Sequence, residues 1–124
     1  MVEGAGIDLI DVDRIAFNIE KDAGFKEMIF CSNEIAYCES KANKYEHYAA
    51  RFAAKEAFFK ALGTGWLEGT HFNEVEIINT ASGKPELILH GKTRDTLNSL
   101  GVTRISVSLS HLKTVACAIV IIEK

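Results

Sequence analysis

Apolar and polar positions along this chain fall into short runs of changing period. Gly4-Ala5-Gly6-Ile7-Asp8-Leu9-Ile10 reads as a strand carried by Ile7, Leu9 and Ile10. Its two glycines predict close approach of another backbone or a ligand. Asp11 is placed to cap a following helix, with Asp13 in its first turn. Ile15, Phe17 and Ile19 give that helix an imperfect apolar face, which Gly24 interrupts. Residues 25–30 add another turn or two. Helix is expected again from Ser32 to about Lys41; Ser32 lacks the partner for a full capping box, but Glu34 favours the helix N-terminus. Residues 51–62 are rich in Ala, Lys and Glu, without Pro or β-branched residues, and predict a central helix stopped by Gly63.

After that helix, Gly63-Thr64-Gly65-Trp66 reads as a turn. Its glycines follow the helix, where the partial charge is wrong for an anion. Residues 75–78 and 86–89 look like strands joined through the Gly83-Lys84-Pro85 turn. Residues 93–100 form a short helix ending at Gly101. Residues 105–110 then alternate, with Ile105, Val107 and Leu109 on one face and Ser106, Ser108 and Ser110 on the other. His111 follows at the strand end, so the serine face is expected to finish in a histidine. The short Leu112-Lys113 connection suggests a hairpin into a last strand over 114–122. With 124 residues, no repeat and no linker, the chain is one domain, 1–124.

The central helix carries its charges in an unusual place. At about 100° per residue, Glu56 and Lys60 share a stripe flanked by Phe52 and Phe59 on one side and Ala50, Ala53, Ala57 and Ala61 on the other. An exposed Glu–Lys pair at this spacing is an ordinary surface feature worth about 0.2–0.5 kcal/mol. A pair flanked by apolar surface needs a partner or a ligand instead.

Composition narrows the classes. The net charge of −3 gives no electrostatic case for nucleic acid. Met1-Val2-Glu3-Gly4 has no basic signal-peptide region, and no apolar run reaches membrane-spanning length. Cys31, Cys38 and Cys117 are an odd number without a zinc spacing, so free thiols in a reducing cytoplasm are expected. Lys41, Lys44 and Arg51 add local positive charge, by default a solvated face.

Asp8 and Glu56 are two carboxylates in otherwise apolar elements. Together they suit a hard, oxygen-preferring cation such as Mg²⁺, which takes one or two protein carboxylates and fills its other positions with water and phosphate oxygens. Lys60, one turn from Glu56, is placed to meet a phosphate. His111 and the serine face add donors. Metal, lysine and histidine together suit phosphoryl transfer.

Four blocks carry a resemblance to a known family. They are Gly4-Ala5-Gly6-Ile7-Asp8, Arg51-Phe52-Ala53-Ala54-Lys55-Glu56-Ala57 continuing through Lys60-Ala61-Leu62-Gly63-Thr64-Gly65, Gly83-Lys84-Pro85, and Ser108-Leu109-Ser110-His111. In order and spacing the chain resembles the holo-[acyl-carrier-protein] synthases, the small 4′-phosphopantetheinyl transferases. The resemblance implies an α+β fold, with an antiparallel-type sheet against a long central helix, and a homotrimer with active sites at subunit interfaces. It implies Mg²⁺-dependent transfer of phosphopantetheine from coenzyme A to a serine of apo acyl carrier protein in fatty acid biosynthesis, releasing adenosine 3′,5′-bisphosphate. By position, Asp8 and Glu56 would ligate Mg²⁺, and Lys60 would contact the pyrophosphate. Arg51 and His111 would hold the nucleotide with its 3′-phosphate, and Gly83, Lys84 and Pro85 would lie near the adenine. The strand bearing Ser110 and His111 would come from the neighbouring subunit.

There are departures from the family pattern. Ile10 stands where larger relatives have a third carboxylate, which leaves that coordination position to water. The first helix keeps Arg14 for docking the acidic carrier protein, but Glu20 and Asp22 follow it with Lys21 as the only positive charge between residues 18 and 24. Leu112 cannot serve as an acid or base, so the acceptor of the serine proton stays open among Glu56, a metal-bound water and solvent. The alternative reading is a catalytically inactive coenzyme A or carrier-protein binding module, against which the joint presence of Asp8, Glu56 and Lys60 argues.

Overall fold

A computed structural model describes residues 1–124. In chain order the elements are β1 (Val2–Asp11), α1 (Val12–Lys21), α2 (Phe25–Ile29), α3 (Ser32–Glu39), α4 (Lys44–Leu62), a 3₁₀ turn (Phe72–Glu74), β2 (Val75–Asn79), β3 (Pro85–Leu89), α5 (Gly91–Ser99), β4 (Arg104–His111) and β5 (Val115–Glu123). The fold is α+β. Strands β1, β5 and β4 form an antiparallel sheet in that order, with β5 central, while β2 and β3 pair separately as an antiparallel hairpin.

The core is α4 laid on the three-stranded sheet. Alternation along β1 points Gly4, Gly6, Asp8 and Ile10 toward the helix and Ala5, Ile7 and Leu9 away from it. Gly4 and Gly6 explain how close the layers come. A Cβ on Gly6 would lie 1.9 Å from the Ala57 carbonyl oxygen, and one on Gly4 2.0 Å from that of Ala61. Small residues on the helix complete the contact: Ala50, Ala53, Ala54, Ala57 and Ala61 are all buried. Ala116, Ala118, Val120 and Ile122 of β5 fill the remaining inner face. Gly63 ends α4 in the left-handed region at φ 82°, and its N–H closes on the Lys60 carbonyl at 2.9 Å.

A buried ion pair ties the smaller elements to this core. Lys55 and Glu34 are both fully enclosed, with Nζ 2.8 Å from Oε1. Lys55 also donates to the carbonyls of Phe72 and Val75. Glu34 accepts from the backbone N–H of Cys31 and Ile77. Every donor of the ammonium thus has a partner, which is the condition for tolerating a charge in the interior. Glu34 was expected only as a helix N-terminal carboxylate. It fills that role at the third position of α3, behind Cys31 rather than Ser32, but its second oxygen pins β2.

Two boundaries and one side-chain face differ from the sequence pattern. Helix α3 stops at Glu39, short of Lys41. Helix α4 begins at Lys44, seven residues before Arg51, because Tyr48, Ala49 and Ala50 are already buried on it. The third concerns His111, which was expected to finish the serine face. Strand alternation places it on the inner face with Ile105, Val107 and Leu109, opposite Ser106, Ser108 and Ser110. The cysteines are free; burial raises the Cys31 thiol and pushes Cys38 up to about 12, away from the reactive thiolate form.

Candidate active site

Candidate residues fall into two groups on the same sheet. The first forms where β1 meets α4. Asp8 lies on the inner face of β1, two residues beyond Gly6, and the close helix lets Lys60 reach over it. Lys60 Nζ is 2.9 Å from Asp8 Oδ1 and 3.1 Å from the Ile7 carbonyl. Glu56 lies one helical turn before Lys60 and is half-buried. Burial raises its carboxyl above the ordinary range, and the negative charge of Asp8 raises it further; Lys60 and then Arg14 pull the other way. Arg14, on the first turn of α1, therefore belongs to the same electrostatic cluster.

This donor set fits a hard divalent cation. The two carboxylates are oxygen donors of the right kind, and no third His, Cys, Asp or Glu joins them. They leave coordination positions for water and phosphate oxygens, as Mg²⁺ prefers. A carboxylate held up by burial and by a second negative charge is also one that a cation would relieve.

The second group surrounds a cleft of about 180 Å³ lined by Tyr37, His47, Arg51, Asn79, Gly83, Pro85 and His111, among others. Arg51 is only 2% exposed. Its Nη2 donates to Asn79 Oδ1 at 2.8 Å, and its guanidinium stacks on the Tyr37 ring at 4.1 Å. Its Nε is buried without any partner. Asn79 in turn donates from Nδ2 to the Gly83 carbonyl at 3.1 Å, tying the Gly83-Lys84-Pro85 turn to the arginine. That turn needs its glycine, since Gly83 sits at φ 89°. His111 Nδ1 meets Glu46 Oε1 at 2.9 Å, and the His47 ring lies 5.2 Å from that of His111.

So Arg51, His111, Gly83 and Pro85 come together, with Lys84 exposed beside them on the turn. Ser110 does not join them; it points out of the opposite sheet face. Asp8, Glu56, Lys60 and Arg14 form their own cluster elsewhere. The two groups lie at opposite sheet edges, β1 and β4, with β5 between. Along α4, Arg51 and Lys60 are nine residues apart, about 13 Å at 1.5 Å per residue. Sequence reasoning missed Tyr37, Glu46, His47 and Asn79. Glu46 and His47 carry a local signal, since they lie about one turn before Arg51 on a continuous helix. Asn79 carries none, because its partner is 28 residues away.

Helix α4 is thus seated on a glycine-bearing edge strand, with Asp8, Glu56 and Lys60 gathered at the contact. The model of the 4′-phosphopantetheinyl transferase superfamily matches residues 4–120, and the chain belongs to that family. Within it, the chain is 48% identical over 124 residues to the holo-[acyl-carrier-protein] synthase of Solibacter usitatus, covering 99% of both chains. The crystal structure of holo-[acyl-carrier-protein] synthase from Neisseria meningitidis superposes with a TM-score of 0.91 at 33% identity, covering all of both chains. The Bacillus anthracis enzyme in complex with CoA (3′,5′-ADP) matches with a TM-score of 0.80 at 35% identity, over 98% of this chain and 96% of that one.

Proposed function

We propose that this protein is a Mg²⁺-dependent holo-[acyl-carrier-protein] synthase. It transfers 4′-phosphopantetheine from coenzyme A to a serine of apo acyl carrier protein, in the cytoplasm and in support of fatty acid biosynthesis. The observation that carries the reading is the convergence of Asp8, Glu56 and Lys60, 48 and 52 residues apart in sequence from Asp8, in a chain whose relatives bear that name.

In the reaction the carrier serine oxygen bonds to the phosphorus bearing pantetheine. The bond from that phosphorus to the leaving oxygen breaks, adenosine 3′,5′-bisphosphate departs, and the serine proton passes to an acceptor. Magnesium, when held by Asp8 and Glu56, supplies positive charge against the pyrophosphate oxygens. Lys60, now paired with Asp8, is free to swing its long stem toward the same phosphates, because more than half of its side chain is exposed. The serine proton passes to Glu56, to a water held by the metal, or to solvent, the three acceptors this site offers. Arg51 and His111 hold the nucleotide, and Gly83, Lys84 and Pro85 flank its base. Arg14, exposed on α1 and near enough to act on Glu56, meets the acidic carrier.

A homotrimer completes the site. On the sheet face away from α4, β1 and β5 show Ile7, Leu9 and Ile119 at 65, 71 and 40% exposure, an apolar patch beside the β4 serines that another subunit would cover. The separation of the two residue groups across the sheet supports the same assembly, in which the Asp8 group of one subunit faces the Arg51 and His111 group of its neighbour.

Intact-mass spectrometry tests the reading. Apo acyl carrier protein incubated with this protein, coenzyme A and Mg²⁺ gains one phosphopantetheine unit, and a chelator abolishes the gain. No gain across a panel of carriers would overturn the assignment in favour of a coenzyme A binding module.

A further inference from the structure

Arg51 carries a buried positive charge whose contacts are an amide and an aromatic ring rather than a carboxylate. Such a charge is costly unless something negative supplies the balance. Its unpartnered Nε and the lining of the cleft point to an anion entering there.

His47 faces the same cleft from α4, one turn before Arg51. Its ring packs edge-on to His111 at 5.2 Å and to Tyr37 at 5.6 Å. Glu46, the one carboxylate beside it, is engaged with His111 Nδ1. The charged and titratable groups around His47 are therefore Tyr37 from α3, Lys41 from the α3–α4 connection, Glu46 and Arg51 from α4, and His111 from β4. Burial first, then the charges of His111, Arg51 and Lys41, hold His47 below the ordinary imidazole range, and Glu46 only partly opposes them. A phosphate dianion placed against Arg51 reverses that balance, because a nearby negative charge favours the imidazolium.

We propose that His47 is a further phosphate-recognising residue of this cleft, taking up one proton from solvent when a terminal phosphate monoester settles beside Arg51. The inference rests on the coenzyme A reading and deepens it. His47 would help distinguish coenzyme A from forms that lack the 3′-phosphate, and would make its capture tighter as pH falls.

Titration calorimetry of the full chain with adenosine 3′,5′-bisphosphate tests this. The range is from about pH 7 to 8.5, above the phosphate's own second ionisation at about 6. Run in two buffers of different ionisation enthalpy, the wild-type heat differs between buffers, and affinity falls by up to about tenfold per pH unit. Adenosine 5′-monophosphate shows neither effect. His47→Gln, which cannot ionise, loses the buffer dependence, binds the bisphosphate several-fold more weakly at pH 7 and keeps wild-type circular dichroism. His47→Phe gives the same flat profile should the glutamine variant fold poorly. Wild-type binding with buffer-independent heat overturns the proposal, and so does a buffer dependence that persists in both variants. Absence of any bisphosphate binding would overturn the nucleotide reading as well, which separates the two failures.

Discussion

Glu56 combines two demands that pull apart. Burial and Asp8 disfavour its charge, yet the proposed metal site needs it ionised. A carboxyl raised above its unfolded value binds its proton more tightly in the folded state. Stability therefore falls as pH rises from the unfolded carboxylate range through the raised value, and the deficit persists above it. Glu56→Gln removes that deficit. The variant should lose transfer by about 100-fold or more while melting at neutral pH no lower than wild type. Thermal unfolding followed by circular dichroism, alongside the mass assay, checks both halves. A large drop in melting temperature would mean that Glu56 is holding the fold rather than poised for a ligand.

At the scale of elements, the contact between β1 and α4 decides whether Asp8 and Lys60 meet at all. Gly6→Ala pushes a methyl group into the Ala57 carbonyl, so the layers must part. Overpacking of this kind costs about 1–3 kcal/mol, and the displacement should weaken catalysis as well; urea unfolding and transfer rate together read the two effects. Lys55→Met tests the other joint. It leaves Glu34 enclosed and unpaired, a loss of about 3–5 kcal/mol, visible as a lower urea midpoint. The strand glycines, the alanine-rich helix and its glycine stop were legible in the sequence because each is a local requirement of backbone approach or helix propensity. So was the alternation of β4, though its own period put His111 on the face opposite the serines. The start of α4 at Lys44 was not legible. Residues 44–50 are helical because Tyr48, Ala49 and Ala50 are buried by neighbours far away in sequence, and periodicity alone does not report that. The Lys55–Glu34 and Arg51–Asn79 pairings were invisible for the same reason, being set by how three elements pack.

For the molecule as a whole, the two residue groups pose a geometric question with a numerical answer. If the Asp8 group of one subunit works with the Arg51 and His111 group of the next, a variant lacking one group can be rescued by a variant lacking the other. Asp8→Ala and His111→Ala proteins, each of low activity alone, are unfolded together in equal amounts and refolded so that subunits mix. In a closed ring of three, each site draws one group from each of two adjacent subunits. A site is intact when the first subunit supplies Asp8 and the second supplies His111, which random mixing gives with a probability of one half for each. Activity should then return to about a quarter of the wild-type level per subunit. If instead each subunit supplied both groups to its own site, every site in the mixture would still lack one residue, and refolding together would recover nothing. A trimer seen by light scattering without this recovery would leave the apolar sheet face as a contact surface and return the chemistry to the single chain.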